Sequence, residues 1–107
     1  MSDNGKYGVE LPDVTRPEDR SSVRARILLF LDHEGVECSA YEISRGTGIC
    51  YSHVRGGLNG SVGRWSIKKS LTVTGMVQTR QLNDKIVLYS LTDQGHDTVR
   101  STNMREG

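Results

Sequence analysis

Between Ser21 and Leu31 the apolar residues Val23, Ile27, Leu28, Phe30 and Leu31 recur at helical spacing, with Arg24 and Arg26 interleaved. The pattern predicts an amphipathic helix whose arginines face water. Ser21 or Ser22 can cap its free amides, and Gly35 ends it. Ser39 stands three residues before Glu42, the spacing of a capping box in which hydroxyl and carboxylate each satisfy an amide of a helix start. A short helix to Arg45 follows, with Ala40 and Ile43 inward and Tyr41 beside them. It stops at Gly46-Thr47-Gly48, where Gly46 or Gly48 takes the positive φ of a sharp turn between helices, and Ile49 plugs that turn. Cys50 to Arg55 opens another helix with Ile49, Val54 and Leu58 facing inward. Because Gly56, Gly57, Gly60 and Gly63 follow, and each interior glycine costs roughly 1 kcal/mol against alanine, this helix is expected to end near Asn59.

Beyond a loop at 60–63, the spacing of Trp65, Ile67, Leu71 and Val73 predicts a third core-packing helix that ends at Gly75, with Lys68 and Lys69 pointing outward. The period then falls to about two over Met76–Leu82 and Ile86–Leu91. Two β-rich runs around the polar turn Asn83-Asp84-Lys85 make a hairpin. Thr92 can cap a last helix over Asp93 to Arg100. Residues 1–20 mix charges, glycines and prolines without an apolar period and are expected to form a flexible arm, and 101–107 a disordered tail. One small domain, 21–100, remains between them, in keeping with a chain of 107 residues.

Taken in order, these elements give an α+β fold. They resemble the winged helix-turn-helix domain of small prokaryotic and archaeal transcriptional regulators, three to five helices with a two- or three-stranded β-hairpin wing. Thr47-Gly48-Ile49 followed by Tyr51-Ser52-His53-Val54-Arg55 resembles the turn and recognition-helix opening of MarR-like and ArsR-like regulators. Ser70-Leu71-Thr72-Val73-Thr74-Gly75-Met76-Val77 resembles the family's approach to the wing, and Tyr89-Ser90-Leu91-Thr92-Asp93-Gln94-Gly95 its exit. The glycine-rich stretch Gly56–Arg64 departs from the family pattern. It splits what is usually one recognition helix into two pieces, 50–59 and 65–74, and leaves open which enters the groove.

Charge sharpens the functional expectation. The formal net charge is only +1, yet the stretch from Ile43 to Asn83 has no Asp or Glu and holds Arg45, Arg55, Arg64, Lys68, Lys69 and Arg80. A positive field must therefore come from how the charges are distributed, and double-stranded DNA is the expected partner. Tyr51, Ser52, His53 and Arg55 are the candidates for base edges or nearby phosphates, Arg55 through paired donors to a guanine. For His53 and Tyr51, packing against a neighbouring helix is an equal alternative. Arg64, Lys68 and Lys69 suit phosphates, and the wing carries Arg80 and Lys85 toward a minor groove or backbone, with Asp84 opposing them. The glycines either let the backbone approach phosphates or allow a crowded helix crossing.

The expected function is sequence-specific DNA binding in transcriptional regulation, as a cytoplasmic homodimer on paired half-sites. The alternative is a winged-helix adaptor for a protein partner, anchored on an exposed Trp65 or Tyr41. No base-nucleophile pair, carboxylate pair or phosphate-gripping loop points to an enzyme. Cys38, Cys50 and His53 lack the paired-cysteine spacing of a metal knuckle, so neither metal nor cofactor is expected. Cys50, at the start of the reading helix, raises the idea of a redox-responsive thiol. The longest apolar run, Ile27–Leu31, is too short to cross a bilayer, and the N-terminus has no secretory-type apolar block. Nothing in the pattern specifies a small-molecule effector.

Overall fold

The helical spacing of the first segment is realised in α1 (Arg20–Glu34), which buries Val23, Ile27, Leu28 and Leu31 and half-buries Phe30. The computed structural model describes residues 20–101. Apart from Arg20 and Ser101, the expected arm and tail lie outside the described residues. Among the described residues, four helices combine with a three-stranded antiparallel sheet, an α+β arrangement compatible with a winged-helix fold. No helix there is long and apolar enough to cross a membrane.

The arginines of α1 correct one expectation. Arg24 and Arg26 are half-buried instead of turned to water. Arg26 Nη2 donates to Thr47 O at 2.8 Å, placing a cation on a carbonyl that closes α2 (Ala40–Thr47). The capping box forms as spaced: Glu42 N donates to Ser39 Oγ at 3.1 Å and Ser39 N to Glu42 Oε1 at 2.8 Å. Gly48, at φ 79°, takes the left-handed turn and donates its N–H to Ser44 O at 2.9 Å. Ser44 Oγ donates to Ile49 O at 2.6 Å, which fixes Ile49 as a buried plug. The turn therefore sets the angle at which α3 (Tyr51–Asn59) leaves α2.

The expected third helix does not form. Trp65 is buried at an isolated bridge to Ser61, and residues 66–75 are a run of bends and turns that buries Ser70 and Leu71 but leaves Ile67 48% and Val73 59% exposed. The cause is competition for backbone donors. Leu71 N and Thr72 N each donate at 3.0 Å to Gly57 O and Leu58 O, carbonyls that the end of α3 leaves unpartnered. Those amides are then unavailable for bonds of their own helix. Ser70 Oγ and Thr74 Oγ1 turn back onto Ile67 O and Ser70 O at 2.7 and 2.9 Å, which favours turns over a regular ladder.

The hairpin pairs β2 (Val77–Gln81) with β3 (Val87–Leu91), and Asn83 Oδ1 accepts from Lys85 N and Ile86 N to shape the tip. A short strand missing from the sequence reading, β1 (Cys38–Ser39), pairs with the other edge of β3 and gives the order β1-β3-β2. Its position ties the wing to the start of α2. The last helix, α4 (Asp93–Ser101), is capped by Thr92, whose Oγ1 accepts from Gly95 N at 3.0 Å and donates to Gly75 O at 2.6 Å.

Candidate nucleic-acid interface

Core packing and hydrogen bonds hold α3 and leave one of its edges outward. Val54 and Leu58 enter the core, Gly57 lies against Ile27 of α1, and Gly56 lies against the indole of Trp65. At the far end Asn59 Nδ2 donates to Tyr89 Oη at 3.0 Å, joining the helix to β3. The two adjacent glycines therefore serve close packing, as the crowded-crossing alternative proposed. The opposite edge presents Tyr51, Ser52 and Arg55, all exposed, with the Arg55 guanidinium 5.7 Å from the centroid of the Tyr51 ring. Of the two candidate reading pieces, this is the helical one.

A cleft lies on each side of α3. One, of about 310 Å³, is bounded by the start of α2, by Tyr51 and Arg55, and by Lys85 and Ile86 of the wing tip. The other, of about 370 Å³, is bounded by Tyr51, Arg55, His53, Ser61 and Arg64, with Trp65 at its base. No carboxylate lines either cleft among the described residues. Arg55 and Tyr51 belong to both, so the fold gathers Tyr51, Ser52, His53, Arg55 and Arg64 around one helix and brings Lys85 to it from the wing.

The remaining candidates fall elsewhere. Lys68 and Lys69 are exposed on the 66–75 turns, the segment whose backbone caps the C-terminal end of α3, and they line neither cleft. Arg80 is already engaged: its Nε and Nη2 donate to both oxygens of Glu37 at 2.6 to 3.0 Å. That hydrogen-bonded pair lowers the Glu37 carboxyl below its usual range, chiefly through the Arg80 bonds. Glu37 lies just outside the acid-free stretch, which is why a scan along the chain misses the pairing.

His53 is more a packing residue than a cation. Its ring sits 5.8 Å from that of Trp65 at a tilt of 48°, and its buried Nδ1 has no hydrogen-bond partner among the described residues. Burial, then the positive charges of Arg20 and Arg64, lower its pKa and keep it neutral at neutral pH. Arg20, assigned by sequence to the flexible arm, instead stacks 5.2 Å from the centroid of the Trp65 ring. Trp65 itself is only 7% exposed, which removes it as the adaptor's surface anchor; Tyr41 remains 59% exposed. Cys38 is in the core and Cys50 on the surface at the start of α3.

Arg45, which the sequence counts among the cations of the acid-free stretch without giving it a contact, donates its Nη1 to Tyr41 Oη at 3.0 Å with the guanidinium 5.6 Å from the ring centroid. The signal was available. A Tyr followed four residues later by Arg occurs at 41–45 and again at 51–55, and that separation brings two side chains together on a helix.

A family model described as EarA-like matches residues 14–101, and the chain belongs to that family. No curated protein matches it.

Proposed function

We propose that this member of the EarA-like family is a sequence-specific double-stranded DNA-binding regulator of transcription, working in the cytoplasm in the manner of MarR-like and ArsR-like proteins. The observation that carries the reading is the exposed edge of α3, where Tyr51, Ser52 and Arg55 stand between two clefts whose charged side chains are all cations. An α-helix fits the major groove, and the residues of its first turns reach base edges. Arg55 reads a base, the guanine edge matching its paired donors, while Arg64 and Lys85 flank it on phosphates. One short helix reads few bases, so the protein acts as a homodimer on two half-sites.

Selection from random duplexes, followed by salt titration of the preferred sequence, tests the proposal. Arg55→Ala is expected to lose sequence preference, and Lys85→Ala to weaken every duplex alike while lowering the salt slope by about 0.9 per lost phosphate contact. Binding that lacks a steep salt dependence overturns the reading in favour of a protein adaptor. So does an Arg55→Ala variant with affinity and preference intact.

A further inference from the structure

The Tyr41–Arg45 pair on α2 has a hydrogen-bonding inventory that selects its ligand. Arg45 donates to the phenol oxygen, so the phenol proton points away from Arg45 and the guanidinium keeps its other N–H groups. The pair thus offers donors to solvent. Among the described residues no carboxylate is within ion-pair distance of Arg45, and the acid next to Tyr41 in the chain, Glu42, is occupied by the capping bond to Ser39 N. A surface of donors, one of them cationic, matches a ligand with several acceptor oxygens and a negative charge. Tyr41 also lines the same cleft as Tyr51, Arg55 and Lys85, so the pair adjoins the edge of α3 through its tyrosine, with Arg45 one helical turn further along α2.

We infer that Tyr41 and Arg45 form a second contact site for nucleic acid, one that holds a phosphodiester of the strand lying across the cleft between α2, α3 and the wing. This rests on the DNA-binding reading above. Stacking on the ring limits the conformations the guanidinium must lose when it binds, so Arg45 meets the phosphate already oriented. The site carries no sequence information, because a phosphate is the same at every step. It sets the register at which Arg55 meets its base.

Fluorescence anisotropy with the selected duplex and with a random duplex, across a salt series, separates the outcomes. Arg45→Ala should weaken both duplexes by the same factor, several-fold at moderate salt, and lower the slope of log K against log salt by about 0.9. Arg45→Lys should keep the slope while losing part of the affinity, and Tyr41→Phe should do likewise because it removes only the phenol donor. All three side-chain changes are on an exposed helix face, and an unchanged melting temperature checks that the fold is intact. If the unaltered protein binds duplex steeply with salt but Arg45→Ala matches it, the site is refuted and the DNA reading stands. An Arg45→Ala effect confined to the selected duplex refutes it too, since that marks a base contact. Should the unaltered protein bind no duplex, the DNA reading itself falls, and an acidic protein surface becomes the ligand these donors fit.

Discussion

Alanine placed at two adjacent glycines of α3 should move stability in opposite directions. Both positions are helical, so Gly→Ala gains up to about 1 kcal/mol from propensity at each. The surroundings then decide the sign. A Cβ at Gly57 would meet Ile27 Cδ1 at 3.1 Å and nothing else closer than 3.5 Å. The end of an isoleucine side chain can yield by a few tenths of an ångström, so Gly57→Ala should be neutral to stabilising by about 0.5 kcal/mol. At Gly56 the same atom would sit 2.5 Å from Cγ, Cδ1 and Nε1 of Trp65. That rigid ring is buried, packed on His53 and covered by the Arg20 guanidinium, so it cannot step aside without repacking. Overpacking costs about 1–3 kcal/mol, which outweighs the propensity gain and leaves a net loss of about 1 kcal/mol. For a domain of this size about 1 kcal/mol corresponds to roughly 4–8 °C in melting temperature. Thermal denaturation followed by circular dichroism should show Gly56→Ala several degrees below the parent and Gly57→Ala level with it or slightly above. If Gly56→Ala melts higher than the parent, the indole does not require the glycine, and the account of how α3 is seated is wrong.

Removing the capping hydroxyl with Ser39→Ala leaves Glu42 N without its acceptor, while the backbone N of residue 39 keeps its bond to Glu42 Oε1, and should cost about 1 kcal/mol in a denaturant titration; no change would mean the box is ornamental. The folded-state pKa of His53 is lowered, so the unfolded chain takes up the proton first. Its contribution to stability should be complete above the ordinary value of about 6.5 and decline as pH falls from there through the lowered folded value. His53→Gln should flatten that part of the profile, and an identical profile in the variant would reject the assignment. Glu37→Gln should release Arg80 and steepen the salt dependence of duplex binding, while Arg80→Ala should lower duplex affinity modestly at an unchanged salt slope; a slope reduced by about 0.9 in Arg80→Ala would restore Arg80 as a DNA ligand.

Much of the fold is legible because local chemistry and tertiary demand agree. The string Tyr89-Ser90-Leu91-Thr92-Asp93-Gln94-Gly95 shows how: Tyr89 and Leu91 are inward on alternate positions of β3, Thr92 caps α4, and Gly95 lies against the Met76 carbonyl, where a side chain has no room. The same holds for the capping box at Ser39 and the left-handed Gly48. The 65–74 segment reads as a helix because its apolar spacing matches one, whereas its conformation is decided by acceptors at Gly57 and Leu58 that only the folded chain supplies. Strand β1 was missed for a related reason. Two residues carry no period, and their pairing is set entirely by the other edge of β3.

The site was legible in its types and less so in its distribution. Counting charges along the chain treats Arg55, Lys68 and Arg80 much alike, since all three fall in the acid-free stretch from Ile43 to Asn83, with Asp84 just beyond it. Folding separates them into three situations. Arg55 stacks on Tyr51 between two clefts, Lys68 is exposed at the capped end of α3, and Arg80 crosses to Glu37 through a contact spanning 43 residues. A guanidinium held by both oxygens of a carboxylate has little left to offer a phosphate, so the acid-free stretch overstates the positive surface by that group. What Arg80 gives instead is a link between the outer strand of the wing and the residue just before β1. Because β1 leads directly into α2, and the tight Gly48 turn joins α2 to α3, that ion pair helps fix where Lys85 stands relative to Arg55. On the proposed reading, the cation that does not touch DNA sets the spacing of two that do.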